Sequence, residues 1–227
     1  MGFNSGNRII PKKGTMRVLF LYLTCLYFLF FTPLVTAQTF EGITIEAEVD
    51  DPPYDRGLYK HWIDADADDE KTRDEVLIEE SLVPVTIQLN QRGERKVIDG
   101  LWVGPYTGFV TRNPRKLQID HMVPLKEAHI SGAMNWDSQK KKDFANDLDL
   151  PQALIAVKSG ANGSKGEHDP AHWMPPNRSY WCQYLEDWMS VKKKWELSVD
   201  QAEVDVIKKG RAVCNKYKSG DALEGRH

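Results

Sequence analysis

The clearest pattern lies late in the chain. Trp181, Tyr184, Leu185, Trp188 and Val191 recur at three- and four-residue spacing, so Tyr180–Trp195 is expected to form a helix with one buried face. A second helix is expected from about Gln201 to Tyr217, with Asp200 as N-cap and Glu203 three positions on, the spacing of a capping box. Shorter helical patterns cover Thr72–Ser81, with Val76 and Leu77 inward, KEAHISGA after Pro124, and Ser138–Asp147, with Phe144 and Ala145 inward. Strand patterns are brief. ITIEAEV (43–49) alternates with period two, and VPVTIQL (83–89) is strand-like with Pro84 marking an edge. Leu117-Gln118-Ile119 is a short strand ending at Asp120-His121, and LIAV (154–157) is an apolar run of buried-strand length. Gly100–Gly108 reads as a structured loop, Gly160–Gly166 as a turn containing Asn162, and Asp169-Pro170 as the opening of a helical turn. Few short strands and more helix make the class α+β.

Before residue 38 the pattern changes. Val18–Phe31 (VLFLYLTCLYFLFF) is a continuous apolar run behind four basic residues and no acidic one, and Val35-Thr36-Ala37 forms a small-residue cleavage site ahead of Gln38. This is the layout of a secretory signal peptide. An uncleaved anchor is the other reading, and it fits less well because a membrane span needs about 20 apolar residues. Residues 1–37 are expected to be the signal peptide, 38–217 a single domain, and 218–227 a flexible tail. Within the domain the expected parts are an acidic N-terminal part (38–110), a core (111–175) and C-terminal helices (178–217). After signal cleavage no stable membrane association is expected.

A hydrophobic content of 41% with 28% charged residues excludes a disordered, collagen-like or polytopic membrane protein. The net charge of −3 hides a split: residues 38–110 carry 7 basic and 17 acidic groups, and residues 111–227 carry 19 and 16. A polyanion would meet the second part. There Lys140-Lys141-Lys142, Lys192-Lys193-Lys194 and Lys208-Lys209 with Arg211 form basic runs, each either a solvated helix face or a phosphate-facing one. Of three cysteines, Cys25 falls in the signal. An even count then remains on two expected helices, Cys182 and Cys214, and points to one disulfide, with two buried thiols as the alternative.

The sharpest local chemistry is Asp120-His121 at a strand end, with Asn146 and Asn162 downstream. Neighbours on a strand point to opposite faces. A bend there would let Asp120 hold a metal while His121 takes a proton from water. An Asn carbonyl is a hard oxygen ligand suited to Mg²⁺. Taken alone, an Asp-His pair is more often a surface ion pair or a buried hydrogen bond.

The strings LQIDHMVPLKEA, FANDLDLPQALIAV and NGSKG resemble, in that order, the HNH endonuclease superfamily, whose fold is called ββα-metal. YDRGLYKHWIDADADD with KTRDEVL (54–77), WVGPYTG (102–108), HISGAMNW (129–136), DPAHWMPP (169–176) and WCQYLEDWMSVKKKWELSVDQAE (181–203) are similar to segments of secreted HNH proteins related to the C-terminal domain of GmrSD-type restriction enzymes. The resemblance implies a ββα-metal (HNH) core with short strands and additional packed helices. By position it implies Asp120 as the acidic metal ligand, His121 as general base, Asn146 as the brace of the loop carrying the histidine, Asn162 as a second metal ligand, and Lys165 as a contact to a phosphate oxygen. The implied activity is hydrolysis of phosphodiester bonds in DNA, with RNA as a further substrate, by a secreted endonuclease using one divalent ion, Mg²⁺ or Mn²⁺. No element suggests base readout, so little sequence preference is expected. The alternative is a non-catalytic extracellular binding protein on the HNH scaffold.

Several features stand outside that assignment. Asp64, Asp66, Asp68 and Glu75 match positions 1, 3, 5 and 12 of an EF-hand loop, but position 6, where glycine is needed, is Asp69. An acidic surface loop and a calcium site are the two readings. The resembling proteins carry Gly and Cys at Ala67 and Asp69, and this chain also has no Cys near Val97. A disulfide implied by the resemblance is thus missing, which leaves open how tightly 64–100 is tied. His61 beside Trp62 reads as packing, Arg73 with Glu75 as an ion pair, and Trp136 and Trp173 as walls of the site. Asn162 and Asn177 head glycosylation sequons, and a glycan on Asn162 would exclude it as a ligand.

Overall fold

The structure is a computed structural model that describes residues 1–2 and 37–219, with side chains to residue 216. The apolar run of the expected signal peptide and the tail beyond Ser219 lie outside those residues. The elements in order are β1 (Thr39–Phe40), β2 (Ile43–Thr44), α1 (Thr72–Glu79), β3 (Thr86–Leu89), β4 (Arg95–Asp99), β5 (Trp102–Gly104), β6 (Phe109–Thr111), β7 (Leu117–His121), α2 (Leu125–Ile130), α3 (Ser138–Ala145), β8 (Leu154–Lys158), α4 (Ser159–Lys165), α5 (Trp181–Lys194) and α6 (Gln201–Ser219). The strands form four antiparallel pairs, β1-β2, β3-β4, β5-β6 and β7-β8, and the class is α+β.

The β7-β8 pair is the centre. Its register sets Asp120 opposite Ile155 and His121 opposite Leu154. Side chains alternate across it. Leu117, Ile119, Leu154 and Ala156 join Val76 and Leu77 of α1, Val97 and Trp102 in one core. Ile155 and Val157 face a larger core built with α2, α3, α5 and α6, which includes Phe144, Tyr184, Leu185 and Trp188. A pair covered on both faces explains why LIAV is apolar throughout. The α5–α6 crossing is close: a Cβ on Gly210 would lie 2.3 Å from Leu185 Cδ1. The two helices are joined by the Cys182–Cys214 disulfide.

Three expectations change. The alternating stretch after Thr44 makes only scattered backbone bonds, from Ile45 to the Gln38 carbonyl at 2.8 Å, from Glu46 to Val199 at 2.9 Å and from Val49 to Ile130 at 3.1 Å, so no strand continues to Val49. Gly100–Gly108 is no loop: β5 starts there and pairs with β6, and Gly104 lets that hairpin approach β8, where a Cβ would lie 3.2 Å from the Lys158 amide. The turn around Asn162 is helix α4. The 64–100 region is tied by ion pairs where a disulfide was missed. Arg95 meets Glu70 at 2.9 Å, Lys71 meets Glu94 at 2.7 Å, and Asp74 takes Lys96 at 2.9 Å and the Val97 amide at 3.1 Å.

Candidate active site

The strand β7 and the helix α4 meet with matched periods. Gln118 and Asp120, two apart on the strand, share a face; Asn162 and Lys165, three apart on the helix, share a stripe. Asn162 Nδ2 donates to Gln118 Oε1 at 2.9 Å, and Lys165 Nζ donates to Asp120 Oδ2 at 2.7 Å. Lys165 also donates to the His121 carbonyl at 2.8 Å, and the Tyr106 hydroxyl donates to the same Asp120 oxygen at 2.6 Å. Among the described residues, Asp120 Oδ1 and Asn162 Oδ1 accept no hydrogen bond. Burial pushes the Asp120 carboxyl up and the Lys165 ammonium down. Each partner's charge opposes the other's shift, and the Tyr106 hydrogen bond also holds the carboxylate ionised.

This corrects one expected role. Lys165 has no exposed surface and its ammonium is committed to Asp120, so it does not present itself to a phosphate.

His121 points the other way, as strand alternation requires. Its Nε2 donates to the Ala145 carbonyl at 3.0 Å, at the end of α3. Its ring stacks on Phe144, with centroids 6.4 Å apart, and lies 5.5 Å from Trp62. A carbonyl only accepts, so the proton sits on Nε2 and the lone pair on Nδ1. Burial drives the imidazole down to about 3; the Ala145 bond opposes this, and His61, Arg56 and Lys165 add to it. The ring is therefore neutral at physiological pH.

Asn146 caps α3. Its Nδ2 donates to the Lys60 and Lys142 carbonyls at 2.7 and 2.8 Å, and its Oδ1 accepts from Thr72 Oγ1 at 2.9 Å and the Ile63 amide at 3.4 Å. It braces residues 60–72, whereas the histidine itself is held by the carbonyl of the preceding residue.

Asp120, His121 and Asn162 border one cavity of about 230 Å³, with Tyr54, Arg56, Pro124 and Lys126 among the other walls. Tyr54 and Arg56 lie in the family-like segment 54–77 but carry no assigned role there. His61, expected to be packing, has its ring 6.2 Å from that of His121 and its Nε2 3.4 Å from Arg56. Trp136 packs on Phe144 and Trp195, and Trp173 on Tyr106 and Tyr184, so neither walls the cavity. Arg73 donates to the Pro114 and Leu117 carbonyls at 3.0 and 3.2 Å, which ties α1 to the start of β7.

The basic runs are largely structural. Lys141 donates to the Met134 carbonyl at 3.0 Å, Lys194 pairs with Asp147 at 2.7 Å, and Arg211 with Glu41 and Glu186. Lys192 is fully buried between Glu127 at 2.6 Å and Glu203 at 3.1 Å. In the acidic loop, carboxylate oxygens of Asp64, Asp66 and Asp68 lie within 4.8 Å of one another. Asp69 itself takes the left-handed conformation, φ 70°, that the expected glycine would have supplied.

A family model for GmrSD restriction endonucleases, C-terminal domain, matches residues 71–209. An "uncharacterized secreted protein" of Arthroderma benhamiae is 36% identical over 173 residues, covering 76% of this chain and 81% of that protein. No solved structure matches. No described helix is long and apolar enough to cross a membrane. The family match contains Asp120, His121, Asn146, Asn162 and Lys165, all on the elements just described, and the chain belongs to the GmrSD restriction endonuclease C-terminal-domain family as a secreted member of it.

Proposed function

We propose that the chain is a secreted, metal-dependent endonuclease of the HNH type that hydrolyses phosphodiester bonds of DNA with little sequence preference. The observation that carries this reading is the cavity. Three residues up to 42 positions apart in the sequence line it, and among the described residues each keeps one side-chain atom without a hydrogen bond: Asp120 Oδ1, Asn162 Oδ1 and His121 Nδ1. A non-catalytic scaffold has no need to keep all three uncommitted. In support of this reading, the antiparallel β7-β8 pair is followed directly by helix α4.

The donor set fits a hard cation. Asp120 and Asn162 would hold one Mg²⁺ or Mn²⁺, which when bound supplies charge neutralisation of the phosphate and stabilises the leaving oxygen. His121 Nδ1 takes the proton from the attacking water, and Ala145 and Phe144 keep the ring in the one tautomer and orientation that can do so. A nitrogen held near 3 is always unprotonated at neutral pH but is a weak base. The incoming phosphate brings negative charge beside the ring and raises its proton affinity. General-base catalysis is worth roughly 10²–10⁴-fold.

The test is nicking of supercoiled plasmid by wild type and His121→Ala, with Mg²⁺ and with chelator. Cutting by wild type that needs the metal and is lost in His121→Ala is expected. A fully active His121→Ala protein would end this assignment.

A further inference from the structure

We infer that Arg56 is a catalytic residue of this site: its guanidinium grips the phosphate of the bond being cut. The inference rests on the phosphodiesterase reading above and adds a residue to it. Charges at the cavity come in pairs. Asp120 is paired with Lys165 at 2.7 Å, and Lys126 with Glu167 at 3.1 Å. Arg56 borders the same cavity, and among the described residues no carboxylate lies within 4.0 Å of its guanidinium. Arg56 is therefore, among the described residues, a wall cation with no carboxylate partner, and a phosphate is a ligand that a guanidinium fork fits.

Arg56 is also aimed. His61 Nδ1 lies 2.8 Å from the Tyr59 carbonyl, so it carries the ring proton, and Nε2 is left as an acceptor facing Arg56 at 3.4 Å. Asp55, the neighbouring carboxylate, accepts the Gly57 amide at 2.7 Å and so starts the turn Arg56–Leu58. The roof above His121 is held from both sides by Asn146, through the Lys60 carbonyl and the Ile63 amide. Between them Trp62 takes φ 60°, a conformation rare for a bulky residue, with its ring against His121. Strain of that kind persists only where the surroundings impose it.

The experiment compares wild type, Arg56→Ala, Arg56→Lys and His121→Ala in Mg²⁺-dependent plasmid nicking, with binding of a labelled 20-base-pair duplex measured by anisotropy in the His121→Ala background. Arg56→Ala should lower kcat by roughly 10²-fold, the cost of removing one preorganised charge-stabilising donor. Arg56→Lys should recover part of the loss. Arg56→Ala should also weaken duplex binding and reduce the slope of log affinity against log salt by about one. Unfolding midpoints confirm that the variants are folded. Wild-type cutting by Arg56→Ala together with an inactive His121→Ala would overturn the role of Arg56 and leave the nuclease reading standing. An active His121→Ala would overturn that reading instead. If no variant cuts, unchanged duplex binding and salt slope in Arg56→Ala still reject the phosphate contact.

Discussion

His121 Nε2 donates to the main-chain carbonyl of Ala145, the residue directly before Asn146. The end of α3 thus does two jobs. It orients the imidazole, and through the Asn146 side chain it holds residues 60–63 over that ring.

Asn146→Ala removes the side chain that ties these parts together and takes from the Lys60 carbonyl the donor that Asn146 supplies. We expect a stability loss of about 1–3 kcal/mol in urea unfolding. The nicking rate should fall further than Asn146→Asp lowers it, because Asp retains the acceptor for Thr72 and Ile63. Equal stability and equal rates in all three proteins would show that the brace is dispensable.

Lys165 and Asp120 form a buried pair, so loss of one leaves the other charge uncompensated. Lys165→Met should destabilise by roughly 3–5 kcal/mol, and the double variant Lys165→Met/Asp120→Asn should cost less than Lys165→Met alone. Thermal melts of the two decide the point. A lysine that served only to contact phosphate would change cutting and leave the melts alone.

Glu203 is fully buried, and burial lifts its carboxyl to about 7 against the opposing charge of Lys192. Glu80 and Glu75 are lifted to about 7 by burial as well. A carboxyl whose folded value is raised contributes stability that is present below about 4.5 and is lost as pH rises through about 7. The melting temperature should be higher at pH 5.5 than at pH 8, with Glu203 responsible for something on the order of 1–3 kcal/mol. Glu203→Gln should flatten that slope. A melting temperature that climbs over the same interval would refute this account.

The Cys182–Cys214 bridge closes a loop of 32 positions between α5 and α6. The double serine variant should lose roughly 2–4 kcal/mol. Below its melting point its Mg²⁺-dependent nicking rate should equal that of wild type, because neither cysteine borders the cavity. A selective loss of cutting in a folded variant would place the disulfide in the site's support.

Where burial follows a local period, the chain announces its structure. The buried stripe of α5 and the apolar run of β8 are both visible as spacing, because each element meets its core along one regular face. α4 is not visible. Gly160, Asn162 and Gly163 are poor helix formers, and the helix is held by Lys165 on Asp120, Asn162 on Gln118 and Trp173 on Ser164. The β5-β6 hairpin is only three residues long on each side, too short for alternation to register.

Residue order alone names the chemistries on hand: a carboxylate beside an imidazole, two amides downstream, a lysine in the same segment, and a family pattern to order them. Which atoms are free is settled by packing. The partners that occupy His121 Nε2 and Asp120 Oδ2 come from 24 and 45 positions along the chain, and Arg56 reaches the cavity from outside the catalytic strings altogether. A hydrogen bond or ion pair of that reach leaves no local period to read, so the commitment of Lys165 and the exposure of Arg56 become apparent only once β7, α3 and α4 are packed together.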